Sequence, residues 1–219
     1  MTMFETPEIY QGPVDPNGGF LCCGSYWRPK AGVTDPADFG EKLQMSSYIA
    51  CAPDQPCLCG SGKLFQACCQ SKRLWYPICP NPGLPGEAGY SLMRVQTATF
   101  TDIVGPFVRR KLMDDLRLHC TEDTSDRVFW IYEGNPGIQT PHGIMCFGDI
   151  ELLHNHTLLI TALSNLRMRI LLSVLHEDCG QWMARPQITY KPMQFIDKRT
   201  GQPITRTPGT PASKRRRRR

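Results

Sequence analysis

Apolar residues recur at helical spacing most clearly between Asn165 and Cys179, where Leu166, Ile170, Leu171, Val174 and Leu175 fall on one face. Ser164 stands where a side chain would accept the first free amides, and Gly180 where a left-handed residue would close the helix. The other face carries Arg167, Arg169, Ser173 and Glu177, so the pattern predicts an amphipathic helix lying on a sheet. A second helical pattern runs over 103–118 through Val104, Phe107, Val108, Leu112 and Leu116. Residues 90–100 are rich in strand formers, and 127–132 form a short apolar run ending at a Gly134-Asn135-Pro136-Gly137 turn. Stretches 144–153 and 157–163 read as two strands joined at His154-Asn155-His156, a β-hairpin.

Before residue 87 these periods break. Residues 1–55 are cut into pieces by Pro7, Pro13, Pro16, Pro29, Pro36 and Pro53 and read as a loop-rich segment. One short helix is expected near Asp35–Met45, with Asp35 as cap and Pro36 at the first position. The cluster from Pro77 to Gly86 excludes a helix or a central strand and predicts a linker over 71–86. Beyond Gly201, three prolines and no apolar period predict disorder. The expected fold class is α+β. A small cysteine knuckle (56–70) precedes the linker, an antiparallel hairpin and sheet packed by amphipathic helices occupies 87–200, and a disordered basic tail covers 201–219.

Charge sharpens the picture at one end. The formal charge is +5, but six of the 25 basic residues are Lys214, Arg215, Arg216, Arg217, Arg218 and Arg219, which leaves 19 against 20 acidic residues elsewhere. The body is about neutral, so phosphate binding by net charge is confined to the tail, which is the candidate nucleic-acid-binding segment, with RNA its most natural target. A tail of this kind reads no bases. No run of roughly 18 apolar residues is present and the opening residues lack a secretory pattern, so a cytoplasmic protein without a membrane span is expected.

The cysteines carry the candidate chemistry. There are 11, an odd number, several adjacent, a pattern that suits metal thiolates better than disulfide bridges. Cys57, Cys59, Cys68 and Cys69 place four thiols within thirteen residues, the complement that a closed tetrahedral zinc (Zn2+) site requires. Gly60 and Gly62 let the chain turn after the first pair, and Leu64 and Phe65 can begin one helical turn that delivers the second. Pro56, Cys57, Cys59, Gly60, Ser61, Gly62, Lys63, Phe65, Cys68 and Cys69 together resemble the SEC-C motif, the zinc-binding module found at the C-terminus of the SecA translocase ATPase and in many small bacterial proteins. The chain departs from that motif at Leu58, where a proline is frequent, and at Gln66 and Ala67, where basic residues are common. The resemblance implies docking to a protein partner or to the ribosome.

Other constellations yield to plainer readings. His154 and His156 are expected as turn residues, although with His142 they could supply a second metal site. Cys22, Cys23, Cys51 and Cys79 flank the knuckle and can be assembled into a second four-cysteine set, but in a spacing that matches no known ligand pattern. Cys120, Cys146 and Cys179 lie among apolar residues and read as small buried side chains. Asp114-Asp115 and Glu122-Asp123 read as solvated faces, and Gly60-Ser61-Gly62-Lys63 lacks the spacing of a phosphate loop. Four thiolates leave no open coordination position, and nothing in the sequence marks an activated nucleophile. The expectation is a non-enzymatic zinc-binding protein whose knuckle docks to a partner; the alternative is a nucleic-acid-binding accessory protein anchored by its tail.

Overall fold

Two nine-residue strands open the ordered architecture. β1 (Phe20–Arg28) and β2 (Glu41–Ile49) pair antiparallel over their whole length, from Phe20 opposite Ile49 to Arg28 opposite Glu41. The computed structural model describes residues 19–28, 41–72, 74–81, 89–133, 139–140, 143–197, 200 and 203–206. The helix expected near Asp35–Met45 is therefore not found over 41–45, which is strand; the rest of it lies outside the described residues. A full ladder with β1 satisfies every second backbone group of the segment, which outweighs the local cap signal at Asp35.

The segment expected as a linker carries two strands, β3 (Leu74–Trp75) and β4 (Ile78–Pro80). β4 runs parallel to β1, with Cys22 opposite Ile78, and antiparallel to β5 (Tyr90–Leu92) on its other side. Pro80 is tolerated because it ends the strand. The run of strand formers from Tyr90 then splits, and β6 (Gln96–Phe100) belongs to another sheet.

Helix α1 (Gly105–Asp114) buries Val108 and Leu112 and is shorter than its apolar pattern. Asp115 ends it: the Asp115 carboxyl accepts the Arg117 amide at 2.8 Å, a local turn that competes with another helical turn and leaves Leu116 96% exposed. β7 (Leu118–Asp123) and β8 (Arg127–Tyr132) follow, antiparallel with a bulge between Cys120 and Glu122. β9 (Gln139–Thr140) pairs with β10 (Gly143–Cys146), which lies against β1. The strand expected over 144–153 thus breaks at Phe147, beyond which β11 (Gly148–Leu153) enters the second sheet.

β11 and β12 (Thr157–Ala162) form the expected hairpin, with His154 and Asn155 at φ 49° and 57° in its turn. Gly105 seats the start of α1 on that turn: a Cβ there would lie 1.6 Å from the Asn155 carbonyl oxygen. Helix α2 (Asn165–Cys179) begins as expected, the Ser164 hydroxyl accepting the Arg167 amide at 3.3 Å. Its end differs. Gly180 is right-handed (φ −54°) and leads into a 3-10 turn, Gly180–Trp182, with the His176 ring against it where a Cβ would stand. β13 (Gln187–Tyr190) pairs with β6, while β14 (Met193–Asp197), β15 (Pro203–Arg206) and β3 form a third, small sheet, so 203–206 of the tail expected to be disordered is strand, its backbone paired with β14.

The second sheet has the order β13-β6-β12-β11-β8-β7, every pair antiparallel. Alternation along β6 and β12 turns Ala98, Phe100, Leu158 and Ile160 toward α1 and α2, where Trp130, Leu171 and Leu175 complete the main core. Each of the Phe, Leu and Ile side chains among them, removed from water, contributes roughly 1.5–3 kcal/mol. β8 is buried on both faces: Phe129 and Ile131 meet Cys146 and Trp27 on the far side, which joins the two large sheets. The architecture is mixed α and β with strands predominating.

Candidate metal centre

The knuckle is built as a miniature hairpin. Pro56 and Leu64 form an isolated antiparallel bridge, the Cys57 amide donates to the Lys63 carbonyl at 2.7 Å, and the Phe65 amide to that of Gln55 at 2.8 Å. Between them the chain reverses through Gly60 (φ 76°) and Gly62 (φ 71°), a left-handed backbone that residues with a Cβ rarely adopt. After Phe65 come the turns that carry the second pair: the Ala67, Cys68 and Lys72 amides donate to the carbonyls of Leu64, Phe65 and Cys69, three residues back in each case. This is the short helical winding expected there.

These turns bring all four sulfurs of Cys57, Cys59, Cys68 and Cys69 within 4.8 Å of one another. Cys59 and Cys68 Sγ are 3.6 Å apart, and Cys68 and Cys69 Sγ 3.8 Å. A tetrahedron with metal–sulfur bonds of about 2.3 Å has sulfur–sulfur edges of about 3.8 Å, so the donor set fits a zinc-sized ion. A disulfide would need about 2.05 Å, and all four are free thiols.

Two neighbours that sequence reasoning did not single out as partners of the thiols complete the site. The Ser61 hydroxyl lies 3.2 Å from Cys68 Sγ, and this hydrogen bond brings the Cys68 thiol down to about 7 despite partial burial. Lys72 Nζ lies 3.7 Å from Cys69 Sγ and 5.6 Å from the centre of the Tyr76 ring. Burial pushes Cys57 up to about 11 and Cys69 higher, so protonated thiols are favoured there unless a cation replaces the protons. The signal for Lys72 was its spacing three residues after Cys69, which places both on one side of a helical turn.

The cluster is continuous with the protein interior. Phe65 is fully buried with its ring 5.4 Å from that of Phe20, and Cys57, Cys68 and Cys69 share a core with Cys22 of β1 and Ile78 of β4. The remaining predicted groups do not converge. Cys51 Sγ lies near the Ala52 and Pro56 carbonyls, and Cys79 near Ser91; Cys22 and Cys23 are pushed to about 12 by burial and remain thiols. Among the described residues, the four knuckle cysteines are the one group of three or more His, Cys, Asp or Glu placed to hold an ion, so the second cysteine set is not formed, while the site that His154 and His156 could form with His142 rests on a residue outside the described ones. His142 and the tail from Lys214 to Arg219 lie outside the described residues.

Two charged groups expected to be solvated are buried. Arg167 is 1% exposed; it donates to the carbonyls of Cys146 (3.1 Å) and Pro80 and stacks 4.6 Å from the Phe147 ring centre. The Asp115 side chain is 7% exposed beneath Arg117. Neither was legible from position on a helix alone.

The SEC-C motif profile matches residues 55–71 of this chain. No curated protein and no solved structure is significantly similar to it. The matched motif and the four-cysteine cluster coincide and identify a site suited to metal binding. No helix among the described residues is long and apolar enough to cross a membrane.

Proposed function

We propose that Cys57, Cys59, Cys68 and Cys69 hold one structural zinc ion, and that the chain is a non-enzymatic protein whose knuckle docks onto a protein partner or the ribosome. The observation that supports this most is the coincidence of a complete tetrahedral donor set with the SEC-C match. Zinc would supply charge neutralisation of the thiolates and a rigid fold for the loop; with four protein sulfurs it would have no free position for substrate. The residues themselves then present a surface. Ser61, Lys63 and Leu64 are exposed at the rim, Leu64 by 45%, and form a small apolar and basic tip held by the bridge to Pro56.

The test is elemental analysis joined to cosedimentation with ribosomes and to capture of cytosolic proteins. One zinc per chain, with capture lost on Lys63→Glu and Leu64→Asp while zinc is kept, is the expected result. Zinc-replete variants that capture the same partners as the parent would refute docking through the knuckle.

The six consecutive basic residues at 214–219 favour a second reading, an accessory protein anchored on nucleic acid. Deleting residues 201–219 would then abolish binding to single-stranded RNA, which would itself weaken steeply with salt, and would leave capture through the knuckle unchanged.

A further inference from the structure

The opposite end of the second sheet offers a surface that the knuckle does not explain. β13 is its terminal strand, and among the described residues nothing pairs with its outer edge. All four of its residues are exposed. The Lys191 amide donates to the Val95 carbonyl at 3.0 Å, and the register places Thr189 opposite Thr97. Antiparallel alternation therefore turns the backbone groups of residues 187, 189 and 191 toward β6, and those of Ile188 and Tyr190 outward.

Those same two residues line a groove of about 350 Å³ against α2, where Leu166, Met168 and Leu172 form the other wall. Ile188 is 39% and Tyr190 45% exposed, which is unusual company for an unpaired strand edge because such edges invite pairing unless blunted. An open edge beside an apolar groove under a helix is the geometry in which an extended peptide adds as a strand, its main chain bonding the edge and alternate side chains entering the groove.

Charge selects the occupant. Arg169 lines the groove and Arg94 stands beside it, and residues 93–100, 164–172 and 184–192 contain no Asp or Glu. The Arg94 guanidinium lies 4.0 Å from the Tyr190 ring centre, which fixes one positive group at the mouth. A second copy of β13 would bring two such basic sets together, and like charges facing each other oppose that pairing. We propose that β13 and the adjoining groove bind an acidic, extended segment of another protein as an added strand, with apolar side chains at alternate positions. This surface is separate from the knuckle and goes beyond the docking proposed there.

The test uses the full chain and a fluorescein-labelled octapeptide alternating Glu with Val and Ile, read by anisotropy, beside the same peptide with Lys in place of Glu. The acidic peptide should bind and the basic one should not. Ile188→Pro removes an outward amide while leaving the ladder to β6 intact, and proline is tolerated on edge strands. It should weaken binding by about tenfold or more, as should Arg169→Glu, whereas Ile188→Val should not. Should Ile188→Pro fail to fold, wild-type protein with an octapeptide N-methylated at alternate residues gives the same reading, since its bonding edge is blocked. Absence of binding, equal binding of both peptides, or indifference to N-methylation would overturn the proposal. So would sedimentation showing a dimer that Ile188→Pro dissolves, because the occupant would then be a second copy.

Discussion

Phe65 sits four residues before Cys69, the last of the clustered cysteines, and is fully buried against Phe20, so the same short segment delivers thiols to the cluster and an aromatic anchor to the core. Replacing it by alanine should cost about 3–5 kcal/mol in urea unfolding, because a buried ring is lost and a cavity left. A loss below 1 kcal/mol would mean that the ring is not seated between knuckle and β1. At Cys59 the expected effect is chemical. Cys59→Ser leaves three thiolates around the ion, and elemental analysis should find bound zinc well below one per chain after dialysis against a mild chelator. Full occupancy would remove Cys59 from the ligand set. These residues were legible in the sequence because all four thiols and both glycines lie within one local loop. Arg167 was not legible, because a helical wheel assigns a charged residue to water and carries no trace of the distant Cys146 and Pro80 carbonyls that receive it.

Elements were legible in proportion to how locally they are specified. The hairpin of β11 and β12, with its turn at His154 and Asn155, and the Ser164 cap of α2 depend on neighbours in sequence, and both are found where the pattern puts them. β1 and β4 pair with strands distant in sequence, and β2 pairs with β1 across residues 29–40, so proline counts and caps misread them. The end of α1 shows a local contest decided by charge. Burial opposes ionisation of Asp115, yet the Arg117 guanidinium and amide donate to its carboxyl and hold it below the usual carboxylate range. Asp178 shares Arg117 at 2.9 Å and is pushed up by burial and by Asp115. A depressed folded value means that the Asp115 contribution is full above the unfolded carboxylate range and is lost as pH falls through the folded value. Arg117→Ala should therefore destabilise by about 1–3 kcal/mol at neutral pH, discounted for the partial exposure of Arg117, and by less in acid. Urea unfolding at both pH values checks this, and a difference that grew in acid would contradict the pairing.

At the scale of the molecule, the first sheet carries the knuckle and the second carries the helices, and three connections hold them together. The chain passes directly from β10 to β11 through Phe147, whose amide donates to the Tyr132 carbonyl at 2.8 Å. Trp27 of β1 packs on Phe129 and Ile131 of β8 with Cys146. Arg167 reaches from α2 to the end of β4 and to β10, where carbonyl oxygens accept from its guanidinium. Metal removal should therefore be felt beyond the loop. Without a cation, the knuckle sulfurs take protons, the packing of Phe65 on Phe20 and Ile78 loosens, and β1 and β4 lose the core they share with it. The expected outcome of chelation is a single unfolding transition lowered by on the order of 10 °C. Hydrogen exchange should quicken at the amides of β11 and β12 as well as at β1. Arg167→Leu should separate the two responses, because it removes the donors that link α2 to Pro80 and Cys146 while leaving the four sulfurs untouched. If chelation instead melts β1 and β2 alone and leaves exchange in β11 and β12 unchanged in the parent protein, the two sheets are energetically independent and the buried arginine does not couple them.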